Sequence, residues 1–276
     1  MLIQFVSMIP ALAAILLAIF VGVFILVKFL ERISVFYPCK VVDLTPASEQ
    51  MDYEDLYITT KDGIKINAWL VKANAHASTV IFAHGNAGTI SDRIMKLKFF
   101  HEIGLNIIIF DYRGYGRSMG APSEKGVYLD VAAVYDYIQA RKDIDPARII
   151  GYGTSLGGAV MIELATQRKL AGLIVESSFT SAKEMARMIY PFVPTILMSI
   201  KFDSVSKVSK INVPKLFLHS HEDEMIPFSM SQKLYEASAE PKEFIVTYGG
   251  HNEGALVSHP EIKHQLMRFL QKHLLL

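Results

Sequence analysis

The chain has 276 residues, 28 Lys+Arg against 27 Asp+Glu, a formal charge of +1, and 51% hydrophobic side chains. A near-neutral chain without Lys/Arg-rich runs is a poor match to nucleic acid, which calls for a clustered cationic excess. The apolar share excludes disorder, and the single cysteine, Cys39, excludes a disulfide scaffold or a multi-cysteine zinc module.

The chain opens on residues 1–27, which carry no charged side chain and only Gln4 and Ser7 as clearly polar ones. At about 1.5 Å per helical residue this run exceeds the ~30 Å hydrocarbon core of a bilayer, so it is expected to be a single transmembrane anchor, with Pro10 near one end. A cleaved signal peptide fits less well. No basic residues precede the run, and it is longer than an apolar core of about 7–15 residues. Lys28, Arg32 and Lys40 follow it, so the positive-inside bias predicts a membrane protein whose remaining residues, 28–276, lie in the cytoplasm.

Residues 28–276 suit one large α/β domain, since no repeat or Gly/Ser linker divides them. Leu56 to Thr60 and Ile64 to Val71 read as strands joined by Lys61-Asp62-Gly63, an antiparallel hairpin signal. Short, wholly apolar runs follow at Thr79–Ala83, Asn106–Phe110, Arg148–Gly151, Leu173–Val175, Leu216–Leu218 and Phe244–Val246. Such runs suit parallel strands covered on both faces. Helical periods separate them; in Pro122–Arg141 the residues Val127, Val131, Val134, Tyr135 and Ile138 form one stripe. The alternation predicts right-handed crossovers and a doubly wound, mostly parallel sheet, with ligands bound beyond the C-terminal strand ends. From Ser178 to Lys210 the alternation lapses. Pro191 and Pro194 interrupt an apolar insert that reads either as a small helical cap or as surface helix with one buried face.

Two segments match G-x-S-x-G: Gly116-Arg117-Ser118-Met119-Gly120 and Gly153-Thr154-Ser155-Leu156-Gly157. A nucleophile elbow needs a strand before the serine, a helix after it, and glycines where the turn crowds out side chains. Ser155 has both flanking elements. Ser118 lies in a Gly-rich loop ahead of Pro122 and has neither. A serine hydroxyl needs a base, and the base an orienting carboxylate, in the chain order Ser, acid, His. His251, just past the last strand in Tyr248-Gly249-Gly250-His251, is the expected base. His219 and His221 lie too near the acid loop to be first choice, and His259, His264 and His273 fall on the terminal amphipathic helix. Asp223 follows the Leu216–Leu218 strand and is the expected acid; Glu222, Glu224 and Asp203 compete, Asp203 being better suited to a helix cap. An oxyanion hole needs two backbone N–H groups. Leu156 supplies one, and the loop His84-Gly85-Asn86-Ala87-Gly88 the other, with Asn86 ahead of Ala87; His84 is expected to fix that loop.

These segments, together with Phe110-Asp111-Tyr112-Arg113-Gly114-Tyr115 and Ile226-Pro227, resemble in order and spacing the α/β-hydrolase superfamily. More narrowly the chain resembles a membrane-tethered branch that includes depalmitoylating acyl-protein thioesterases and is grouped with prolyl-oligopeptidase-like serine aminopeptidases. There too an apolar N-terminal segment precedes a Tyr-Pro element like Phe36-Tyr37-Pro38. Palmitoylated branch members carry an N-terminal cysteine cluster, whereas this chain has only Cys39. The resemblance implies the α/β-hydrolase fold and a serine hydrolase without cofactor, acting through an acyl-enzyme on Ser155. An apolar insert beside a bilayer favours a lipid or acylated-protein ester or thioester as substrate. An aminopeptidase-like amide hydrolase and a non-catalytic binding module are the alternatives. Serine at 155 disfavours the carboxylate chemistry of halide- and epoxide-cleaving relatives, and no H-E-x-x-H spacing suggests a metal.

Overall fold

A 33-residue helix, α1 (Leu2–Ser34), leads the chain and runs through Pro10. The computed structural model describes residues 2–253, 256 and 259–276. Within α1, Leu12–Glu31 is long and apolar enough to cross a membrane by length and composition, and nearly all of it is exposed. The helix does not stop where the charged residues begin. It continues past Lys28 and Glu31, beyond the expected boundary at residue 27.

The hairpin comes next. Strand β1 (Tyr53–Thr59) pairs antiparallel with β2 (Lys65–Val71), starting three residues earlier than the apolar pattern suggested. Thr60, Asp62 and Gly63 close it: the Thr60 hydroxyl donates to Asp62, and Gly63 holds φ +83°, a left-handed value that glycine adopts without a side-chain clash. The remaining strands are β3 (Thr79–Ala83), β4 (Asn106–Phe110), β5 (Ile149–Thr154), β6 (Gly172–Glu176), β7 (Lys215–Ser220) and β8 (Lys242–Thr247). They join the hairpin in one eight-stranded sheet ordered β8-β7-β6-β5-β3-β4-β2-β1, antiparallel at β1-β2 and β2-β4 and parallel elsewhere.

Side chains alternate across the parallel strands, as a period of two requires. Ile81, Ile108, Leu173, Val175 and Phe217 enter one core layer, and Val80, Phe82, Ile107, Ile109, Ile150, Tyr152, Ile174, Leu216 and Leu218 the other. The first layer is covered by α3 (Glu124–Gln139), α4 (Leu156–Gln167) and α7 (Phe228–Ala237); the second by α2 (Ile94–Glu102) and α8 (Pro260–Lys272). The predicted stripe of α3 is buried at Val127, Val131, Val134, Tyr135 and Ile138. Full burial of each such side chain is worth about 1.5–3 kcal/mol.

Strand order fixes where chemistry can occur. The chain leaves β3 toward β4 on one side and returns to β5 on the other, so the β3/β5 boundary is a switch point with an open crevice at the C-terminal strand ends. Between β6 and β7 the insert 178–210 forms α5 (Ala182–Ile189), a short 3-10 turn at Thr195–Leu197 and α6 (Val205–Val208). Pro191 comes one residue after Tyr190, the C-cap of α5, where its ring cannot continue a helix.

Candidate active site

Ser155 stands between β5 and α4 with φ +54° and ψ −118°, a backbone conformation that costs a non-glycine residue about 1–3 kcal/mol. The turn survives because its neighbours leave no alternative. A side chain at Gly153 would strike the Gly157 carbonyl, and one at Gly157 would strike the carbonyl of Ala83. The Ser155 N–H donates to the Glu176 carbonyl at 2.9 Å, and its carbonyl accepts from the Ser178 hydroxyl at 2.9 Å. The tight bend therefore presents the Ser155 hydroxyl at the crevice.

His251 arrives from the loop after β8. Its Nε2 lies 3.1 Å from Ser155 Oγ and its Nδ1 2.7 Å from Asp223 Oδ2. One tautomer serves both contacts: Nδ1–H donates to the carboxylate, and Nε2 accepts a hydrogen bond from the Ser155 hydroxyl. The Asp223 side chain is wholly buried after β7, and its other oxygen accepts from the N–H groups of Met225 (3.0 Å) and Ile226 (2.8 Å). Burial pushes the Asp223 carboxyl up, but hydrogen bonds from His219, His251 and the Ile226 N–H outweigh it and hold the group well below the usual carboxylate range.

The competing acids have other work. Glu222 accepts from the Gly249 N–H (2.7 Å) and Glu224 from the His251 N–H (3.0 Å), so both clamp the loop that carries the imidazole. Asp203 accepts from the Ser206 N–H (3.4 Å) beside α6. Ser118 is buried, accepting from the Asn67 N–H (2.8 Å) and donating to the Asp111 carbonyl (2.7 Å), which makes it a staple between strands and loop. Of the late histidines only His264 lies within α8; His259 and His273 flank it.

The loop after β3 lies against Ser155; a Cβ on Gly85 would rest 3.7 Å from Ser155 Cβ. His84 is wholly buried, and burial, reinforced by the Arg93 charge, lowers its pKa to about 3. The neutral ring donates from Nδ1 to the Gly85 carbonyl at 2.7 Å. In a trans peptide the Asn86 N–H points opposite to that carbonyl, so the bond sets its direction. The Asn86 carbonyl is held in turn by the Tyr115 hydroxyl (2.7 Å) and the Tyr37 N–H (3.0 Å). Ala87 is engaged instead in a two-residue parallel ladder with Tyr37–Pro38. Leu156 opens α4, where the first N–H groups have no partner within the helix.

A cavity of about 430 Å³ lies over Ser155, bordered by Asn86, Leu156 and His251 at its polar end. Its walls come from the insert, through Phe179, Met185 and Val193, and from α1, through Val27 and Leu30. That size is usual for small-molecule sites, about 300–1,000 Å³. The α1 wall is fastened: buried Glu31 accepts from the backbone N–H groups of Ser199 (2.5 Å) and Ile200 (2.8 Å), and Lys28 donates to the Leu197 carbonyl (2.9 Å) and to Glu31 (2.8 Å).

Three contributors escape a reading of the sequence. His219 Nε2 sits 3.2 Å from Asp223 Oδ2 and 2.8 Å from the Ile226 carbonyl, so the carboxylate is held by two imidazoles. Its one signal is a polar residue ending the run Leu216-Phe217-Leu218. Glu31 shows itself only as an acid at the foot of an apolar helix, and Tyr115 only as one tyrosine in a Gly-rich loop.

Comparison with known proteins agrees with this architecture. Residues 74–207 match the family described as serine aminopeptidase, S33. The chain is 33% identical over 242 residues to the α/β hydrolase domain-containing protein WAV2 of Arabidopsis thaliana, covering 79% of this chain and 78% of that one. It is 35% identical over 218 residues to an uncharacterized membrane protein of Saccharomyces cerevisiae, covering 76% and 77%. Among solved structures, an esterase from Pyrococcus furiosus superposes with a TM-score of 0.73 at 24% identity, covering 87% of this chain and 97% of the esterase. Strand order, elbow, loop placement and these likenesses agree, and the chain belongs to the α/β-hydrolase superfamily of serine hydrolases.

Proposed function

We propose that the chain is a membrane-anchored serine hydrolase cleaving a carboxylic ester or thioester of a lipid or an acylated protein. Ser155 is the nucleophile, His251 the general base and acid, and Asp223 the orienting carboxylate; the N–H groups of Leu156 and Asn86 form the oxyanion hole. The observation that carries this reading is the unbroken chain Asp223–His251–Ser155, with contacts of 2.7 and 3.1 Å, at the polar end of an apolar cavity.

In acylation, His251 Nε2 takes the Ser155 proton as Oγ attacks the acyl carbonyl, and negative charge collects on the former carbonyl oxygen beside the two N–H groups. The imidazolium, steadied by the Asp223 charge, then protonates the departing alcohol or thiol. Water enters, gives its proton to His251 and attacks the acyl-enzyme; the proton returns to Ser155 Oγ as the acid leaves.

The cavity favours an acyl chain over a free amine. Two carboxylates border it, Glu31 and Glu224; both oxygens of Glu31 are taken up by Lys28, Ser199 and Ile200, and Glu224 is turned to the His251 N–H, so among the described residues no dedicated acidic cluster is set to grip a terminal ammonium as an aminopeptidase reading requires. The anchor reading is supported by α1 and by the yeast relative's description as a membrane protein.

A fluorophosphonate probe tests the assignment. Wild type should label covalently while Ser155→Ala should not, and hydrolysis of a long-chain thioester should fall on the order of 10⁶-fold. Equal labelling of the two proteins would falsify the role given to Ser155.

A further inference from the structure

The insert leaves large apolar side chains in the open. Phe192 is 97% exposed and Ile196 84%, with Met188 and Ile189 exposed beside them. Single exposed aliphatics are ordinary, but four between residues 188 and 196 form a patch that calls for a partner. From Met188 to Ile200 no residue is charged, and Arg187 and Lys201 bound the stretch. Both bounding residues are exposed.

The patch lies beside the foot of α1. Lys28 reaches the Leu197 carbonyl and Glu31 the N–H groups of Ser199 and Ile200, so residues 197–200 abut the last turn of the stretch Leu12–Glu31. On α1 itself Phe29 and Ile33 remain exposed, carrying the apolar surface of the helix down to the level of the insert. An apolar loop edged by cationic side chains has the composition of a segment lying in a headgroup layer, where arginine and lysine meet anionic lipid.

We propose that residues 188–197 are a second membrane contact, with Phe192 and Ile196 seated in the interfacial layer of the bilayer that α1 crosses, so that the cavity over Ser155 faces lipid. This rests on reading α1 as membrane-spanning. The cavity wall supports it: Ile189, Tyr190 and Val193 line it from the insert, and Val27, Leu30 and Ser34 line it from α1. An acyl chain would then pass between two lipid-wetted elements toward the serine without crossing water.

Tryptophan emission tests the contact. Trp69 is the sole tryptophan and is wholly buried, so Phe192→Trp in the full chain adds an emitter read by difference from wild type. In vesicles of phosphatidylcholine and phosphatidylserine whose acyl chains carry bromine near the carbonyl end, that added emission should be quenched relative to unbrominated vesicles. A companion variant, Phe192→Asp with Ile196→Asp, should turn over a vesicle-borne ester about tenfold more slowly or worse, and a water-soluble short-chain ester at the wild-type rate. Emission insensitive to bromine, in protein that stays with vesicles through an alkaline carbonate wash, overturns the contact; if also blue-shifted, it indicates a protein surface over Phe192 instead. Equal loss on both esters points to a structural role and likewise overturns it. Release of the whole chain by carbonate overturns the anchor and this contact with it. The emission arm needs no catalysis, so a chain without esterase activity still decides the question.

Discussion

Asp111 is a carboxyl caught behind the loop that carries the Asn86 N–H. Burial, with the Asp92 charge, raises its pKa to about 7 against the pull of the Ile90 N–H and of Lys40 and Arg117, and His84 Nε2 stands 3.7 Å away. In the unfolded chain the same group titrates near 3.8. Between those values the folded state holds a proton that the unfolded state has released. The group therefore favours folding most at the acid end of the window and least at the neutral end, and stability drains as pH climbs from about 4 to 7. Asp111→Asn is expected to remove this slope. Urea midpoints at pH 5 and pH 7.5 check it: wild type should lose more stability across the interval than the variant, and equal losses would refute the assignment. His84 works in the opposite direction: folded, burial holds its pKa at about 3, whereas unfolded it takes up a proton below about 6.5, so its contribution to stability grows as pH climbs through that interval; both proteins carry it, and the difference between them isolates Asp111.

At the level of elements, the join between α1 and the insert is the feature with the largest leverage. Glu31 meets two backbone N–H groups that sit 168 and 169 residues further along the chain. Glu31→Ala leaves both donors without their acceptor and should cost about 1–3 kcal/mol, read as a lowered denaturation midpoint in detergent micelles. Because Val27 and Leu30 border the cavity, the same change should raise KM for long acyl esters more than for acetyl esters; an unchanged KM ratio would separate the join from substrate binding. Such long-range bonds explain what could be read from the sequence and what could not. Apolar runs and the Lys61-Asp62-Gly63 turn announced the eight strands of the large sheet, most plainly β3 to β7, whose burial on both faces leaves a local pattern, and Gly153 and Gly157 marked the bend at Ser155 through their own crowding. Chain order pointed to Asp223 and His251, and the fold brings the His251 ring within hydrogen-bonding reach of both Asp223 and Ser155. The second imidazole on Asp223 and the Glu31 join left no such trace, since each depends on pairings that only the assembled sheet creates. Boundaries slipped for a related reason: charged residues at 28 and 31 do not end α1, because their partners are supplied by the insert.

On the scale of the whole molecule, the C-terminal strand ends, the insert and the foot of α1 share one side of the sheet's crevice. The basic residues after the apolar stretch argue for that side lying in the cytoplasm. In sealed, right-side-out vesicles an external protease should spare the domain, and permeabilisation should expose it; digestion from outside before permeabilisation would reverse the orientation. A domain fixed to its helix by Glu31 and Lys28 has little freedom to swivel on a tether, so the tilt of α1 and the aim of the cavity are set together. Shaving away residues 1–34 to obtain a water-soluble remnant would thus amputate one flank of the hollow above Ser155, laying it bare where Val27 and Leu30 now stand. The rod that looks like a mere mooring is also masonry.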